Sequence, residues 1–150
     1  MYFVDRKKVN TTLSYMKDII QVLEETVEIT SSDIGKLALE RIAQNVIESI
    51  LDVGNAMIDG FIMRDPGSYD DIIDILTDEK VILKEMDAPL KEVISLRKAL
   101  VRDFIGVNHN EIAETLIANM SVLKQFPDQV EHYLIHELGP VSAFLPEDKA

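Results

Sequence analysis

The sequence predicts an all-α fold, a bundle of four long helices with one or two short ones between the second and third. Three observations carry it: apolar residues recur at helical spacing almost from end to end, capping and turn signals punctuate those stripes, and no useful stretch shows strand periodicity. The first stripe, Val9, Leu13, Met16, Ile20, Leu23 and Val27, runs at 4-3-4-3-4 spacing and gives a helix of about six turns. Ser31, Ser32 and Asp33 then offer N-cap oxygens to a second helix built on Leu39, Ile42, Val46, Ile50, Val53 and Met57 and ending near Gly60. Ala43, Ile47, Gly54, Ile58 and Phe61 widen its apolar face, which predicts a central helix with several neighbours, a dimer contact being one use of the surplus.

Asp65-Pro66-Gly67-Ser68 is a turn, and Ser68 with Asp71 has the spacing of a capping box for a short helix through Leu76. Residues 79–86 read as another short helix, and Pro89 suits the first turn of a long one running to about Ile105 and stopped by Gly106. Asn108 and Glu111 repeat the capping-box spacing before a long final helix that Pro127 should kink or restart. The methionines at apolar spacings read as core filler. Residues 1–150 form one domain in this reading, 139–150 being a loosely held tail.

Composition narrows function. Apolar residues make up 47% and charged ones 28% of 150 residues, as in ordinary globular chains. Zero cysteines remove disulfides, thiolate metal sites and cysteine nucleophiles. With neither a signal-peptide pattern nor a spanning apolar run, the chain reads as cytoplasmic, with no membrane contact. A net charge of −12 repels nucleic acid at long range, so any RNA contact has to be local. Such a place exists between residues 80 and 102, where Lys80, Lys84, Lys91, Arg97, Lys98 and Arg102 face only Glu85, Asp87 and Glu92. A solvated helix face would account for this strip, but Arg97 resists that account. It occupies a seam with Leu90, Ile94, Val101 and Phe104, and another with Val93, Leu100 and Phe104. A guanidinium there either pairs with a carboxylate inside the bundle or opens onto a cleft or subunit interface that binds an anion.

The segment Arg97-Lys98-Ala99-Leu100-Val101-Arg102-Asp103-Phe104 resembles the R-x-x-x-x-H-x-Y signature of HepT-like proteins in the HEPN superfamily. The opening Tyr2-Phe3-Val4-Asp5-Arg6, the run from Ala38 to Gly54 and the helix order extend the resemblance over about residues 1–135, with most likeness to the YutE-like branch. It implies a dimerising helical bundle whose two motif helices line a shared cleft. It also implies toxins that are metal-independent endoribonucleases, silenced when an MntA-type nucleotidyltransferase antitoxin attaches AMP to the motif tyrosine. Arg97 then holds the scissile phosphate, with Lys98 and Arg102 as further phosphate-binding cations. Arg102 stands in place of the motif histidine and, with a pKa above about 12, exchanges no proton with the 2′-hydroxyl or the leaving oxygen. Phe104 stands in place of the tyrosine and lacks the oxygen that accepts AMP, while Lys98 replaces a small polar residue.

Two functions follow: a toxin-family protein with weak or no RNA cleavage, or a non-catalytic homodimer that binds a nucleotidyltransferase-like partner. On a straight helix position 102 lies about 140° from Arg97 and Phe104 about 20° from it, so Arg102 reaches Arg97's cleft only from a frayed helix end or from a second subunit. His109, read as an exposed loop residue, is the one nearby candidate for a replacement base. Asp128, His132 and His136 share a helical stripe with metal-ligand spacing, but a solvated face explains them, and neither metal nor cofactor is expected. No Glu-x-x-His, Gly-rich phosphate loop, G-x-S-x-G or H-E-x-x-H occurs.

Overall fold

The computed structural model describes residues 3–139, and the regular structure among them is all helical. The helices are α1 (Arg6–Glu25), α2 (Asp33–Gly60), α3 (Tyr69–Asp78), α4 (Asp87–Ile94), α5 (Arg97–Val101), α6 (His109–Ala118) and α7 (Met120–Leu138). Asp5 caps α1, whose buried stripe is the expected one except that Val27 lies beyond the helix end and is exposed. The Ser32 hydroxyl accepts the Gly35 N–H at 3.0 Å and starts the 28-residue α2. That helix packs against α1, α3, α5 and α6, so its wide apolar face is covered within the chain and gives no argument for a dimer.

Helix α2 stops where Gly60 stands, although not because glycine turns the chain. A Cβ at Gly60 would lie 2.5 Å from Val4 Cγ2, so the missing side chain lets the N-terminal segment cross closely. The left-handed residue of the cap is Ile62 (φ 56°), with the Met63 N–H returning to Ile58 O at 2.9 Å. Lys80 (φ 61°) ends α3 in the same way, with Val81 N–H on Leu76 O at 2.9 Å. This cap is why the helix expected over 79–86 does not form: only Lys84–Met86 make a 3-10 turn, while Val81, Ile82 and Met86 drop into the core.

The expected long helix to Ile105 is divided. At Ser95 and Leu96 it tightens, Leu96 N–H bonding Val93 O at 3.1 Å, and α5 ends at Val101. The final helix also divides, at Asn119 rather than at the proline. The Asn119 side-chain amide donates to Glu92 on α4 at 2.8 Å and to Thr115 O at 2.9 Å, and α7 then runs through a buried Pro127. Gly139 is the last described residue; the rest of the expected tail lies outside the described residues.

Gly54 sets the distance between α2 and α3. A Cβ there would come 2.5 Å from Ile72 Cγ2, a branched methyl buried in the core that cannot swing aside. Gly54→Ala is therefore expected to destabilise by about 1–2 kcal/mol, the overpacking cost of about 1–3 being partly offset by alanine's better helix propensity. Thermal melts should show a Tm lowered by about 2–8 °C; an unchanged or raised Tm would mean that α3 moves away freely.

Candidate functional site

Helix α3 and the α4–α5 segment are held side by side by polar contacts. Arg64 donates from Nη1 and Nη2 to the two Asp71 carboxylate oxygens at 2.8 and 2.9 Å, and the Gly67 N–H donates to Asp71 at 2.8 Å. The Arg64 hydrogen bonds, then the Gly67 one, hold the Asp71 carboxyl below its ordinary pKa. The Ser68 hydroxyl accepts the Asp71 N–H at 3.1 Å, which completes the N-cap and places Tyr69 at the start of the helix. Further along, Lys91 on α4 pairs with Asp74 on α3 and with Asp87, and Asp87 accepts the Thr77 hydroxyl at 2.8 Å. The hydrogen bonds Lys91 donates to Asp74 and then to Asp87 raise its pKa, so its charge is committed to this joint. The basic strip read from sequence is accordingly not one patch: Lys91 is neutralised, and Lys80 lines a separate hollow beside His132 and His136.

Between these helices opens a cleft of about 420 Å³ lined by Ser68, Tyr69, Asp70, Ile94, Ser95, Arg97, Lys98 and Arg102. Both alternatives for Arg97 hold at once. Its Nε donates to Glu48 Oε1 on α2 at 2.8 Å, its guanidinium carbon sits 4.7 Å from the Tyr69 ring centroid, and a quarter of its side chain remains exposed to the cleft it lines. The Glu48 hydrogen bond, outweighing partial desolvation, raises its pKa, so the site keeps this positive charge at any working pH. One bond to Glu48 uses one of five guanidinium N–H donors.

Arg102 caps α5, and its place on the cleft wall in the same chain follows from the helix ending at Val101. The helix end brings it to the cleft of Arg97 within one chain. Phe104 departs from expectation: it does not line the cleft, and lies 57% exposed in the 3-10 turn Phe104–Gly106 beside Ile105, which is 94% exposed. The seam that placed it near Arg97 ends with the helix. His109 is not a loop residue either, because Asn108 caps α6 and His109 is its first residue. Its Nε2 bonds Glu40 Oε2 at 2.7 Å; Glu40 stands eight residues from Glu48 on α2, about 12 Å along the axis, and His109 does not line the cleft.

Sequence reasoning missed Glu48, Tyr69, Ser68 and Asp70. The seam position of Arg97 demanded a carboxylate, but nothing local selects Glu48 among 27 acids. Ser68 was read only as a cap, yet a cap also aims the residue after it. The metal-spaced stripe separates, since Asp128 pairs with Lys17 at 3.6 Å while the His132 and His136 rings stack with centroids 6.4 Å apart. Among the described residues no helix is long and apolar enough to cross a membrane.

The sequence profile of the HepT-like ribonucleases matches residues 11–130. The chain belongs to the HepT-like family. Over 144 residues it is 48% identical to the candidate RNase YutE of Bacillus subtilis (strain 168), covering 96% of this chain and 99% of that one. The solved structure of YutE, described as a cytosolic protein of unknown function, matches this HepT-like chain with a TM-score of 0.92 over 95% of it and 99% of YutE. Two more distant structures share the fold. One is a tri-AMPylated HEPN toxin of Shewanella oneidensis in complex with its MNT antitoxin (TM-score 0.71, 18% identity, 88% of this chain and 99% of that one). The other is a toxin–antitoxin with AMP-PNP (TM-score 0.71, 17% identity, 81% and 96%). HepT-like membership accounts for the helix order.

Proposed function

We propose that this HepT-like chain binds single-stranded RNA phosphate in the cleft through Arg97, Lys98 and Arg102, and cleaves RNA weakly or not at all. The observation that carries this reading is the make-up of the cleft: three cations line it, and among the described residues no imidazole does. Phosphate binding needs only fixed positive charge and donors. Cleavage also needs a group that takes the 2′-hydroxyl proton as that oxygen attacks phosphorus, and one that protonates the departing 5′-oxygen. Arg97 and Arg102 supply neither, and His109 is tied to Glu40 elsewhere. The test is titration and incubation of the natural chain with a labelled single-stranded RNA in the presence of chelator. Salt-sensitive binding with slow or absent cleavage is expected; rapid cleavage would overturn the second half, and absent binding the first.

A second reading is a non-catalytic homodimer that binds a nucleotidyltransferase-like antitoxin. Exposed Phe104 and Ile105, adjoining the cleft in sequence, favour it as an apolar contact, and the distant relatives of this fold were solved as toxin–antitoxin complexes. AMP transfer to position 104 is closed by the missing hydroxyl. Light scattering should then give roughly twice the 16.9 kDa chain mass at micromolar concentration. A monomer would count against this reading.

A further inference from the structure

We propose that Tyr69 is a nucleobase-stacking platform: one unpaired base of the RNA lies on its ring while the adjoining phosphate is held by Arg97, Lys98 and Arg102. The inference rests on the RNA-binding reading of the cleft and adds the residue that recognises the nucleoside half of the ligand.

Tyr69 lines the cleft and is 47% exposed, whereas Phe61 and Phe126 are buried. Its backbone is fixed by the Ser68 cap and the Arg64–Asp71 pair, so the ring stands on a rigid helix start rather than on a loose loop. The Arg97 guanidinium lies over the ring at 4.7 Å, and a planar cation covers one face of an aromatic ring, leaving the exposed remainder to another flat partner. A base is such a partner: bases of single-stranded RNA splay from the backbone and stack on aromatic side chains, whatever their identity. The same contact ties base to phosphate, because the guanidinium against Tyr69 is the one that belongs to the phosphate-binding set. A cleft of about 420 Å³ lies in the lower part of the range of small-ligand sites, about 300–1,000 Å³, which suits a single nucleotide unit and not a duplex. Asp70 on the same wall offsets part of the positive charge, so backbone attraction alone leaves room for a base contact to matter.

The experiment uses the full chain with two fluorescein-labelled oligomers of equal length, an oligouridylate and a fully abasic ribose-phosphate chain, followed by anisotropy. A third oligonucleotide carries a central 2-aminopurine whose emission is quenched on stacking. Tyr69→Phe keeps the ring and should bind as the natural chain does. Tyr69→Ala should weaken binding of the intact RNA by about 5- to 100-fold and abolish the 2-aminopurine quenching. The abasic RNA should bind the natural chain and Tyr69→Ala equally, since it has no base to lose. A Tyr69→Phe variant as weak as Tyr69→Ala would overturn the proposal by assigning the effect to the hydroxyl. Equal binding of intact RNA by Tyr69→Ala and the natural chain, with Arg97→Ala still impaired, would overturn the stacking role and leave the phosphate site standing. No RNA binding by any form would overturn both.

Discussion

Arg97→Ala is expected to weaken single-stranded RNA binding about 10- to 100-fold, the scale of a lost bidentate cation–phosphate contact. The loss should be uniform across sequences, and the slope of log K against log salt should fall by about 0.7, one phosphate's share for a single strand. Folding should survive. The side chains of the Arg97–Glu48 pair are 25% and 37% exposed, so its removal costs at most about 1 kcal/mol and a few degrees of Tm. Arg97→Lys should recover only part of the affinity, because an ammonium lacks the planar donor fork and the stacking surface that Tyr69 meets. Anisotropy titrations at several salt concentrations, beside thermal melts, check each element. Unchanged affinity and slope would remove Arg97 from the phosphate.

Arg102→His is expected to create chelator-resistant RNA cleavage at about 10²–10⁴ times the rate of the natural chain, the usual contribution of a positioned acid–base group. The substitution places an imidazole where Arg102 now lines the cleft, in the same chain as Arg97. Its neutral imidazole takes the 2′-hydroxyl proton while the 2′-oxygen attacks phosphorus and the P–O5′ bond breaks, the departing 5′-oxygen taking a proton from water, which yields a 2′,3′-cyclic phosphate. Neighbouring Arg97 and Lys98 disfavour a third positive charge, so the new histidine should titrate below its ordinary value of about 6.5. If its role as base limits the rate, activity rises with pH through that value and levels off above it. Phe104→Tyr should add nothing, alone or combined, because position 104 is outside the cleft. Should only the double variant cut RNA, the turn at Phe104–Gly106 would have to fold over the cleft in the active form. Should neither cut, the phosphate would be held out of line with position 102.

Much of the fold was legible because its signals are local. The Ser32, Ser68 and Asn108 caps act within three residues, and the stripe Val9, Leu13, Met16, Ile20 and Leu23 reports its own helix through the 3.6-residue period. The wide face of α2 predicted its central place. Arg97 stood out because a guanidinium in an apolar seam requires an explanation. Where the reading failed, a tertiary contact overrode a local pattern. The core drew in Val81, Ile82 and Met86 in place of a helix over 79–86, Asn119 broke the final helix by bonding Glu92, and α5 stopped at Val101, which moved Phe104 out and left Arg102 on the cleft.

By itself, then, the sequence determined an all-helical chain, its main caps and core stripes, and a resemblance to a motif in which Arg102 and Phe104 would stand for the histidine and tyrosine. Only the tertiary structure decided that Glu48 answers Arg97, that Tyr69 lies against it, that His109 belongs to Glu40, and that Arg102 but not Phe104 shares the cleft. The reason is one of range. Caps and stripes are contacts between residues three or four apart, whereas the partners of Arg97 stand 49 residues away on α2 and, on α3, at a helix start that shares no sequence pattern with it. Those meetings depend on how helices pack, which residue spacing along one helix does not encode.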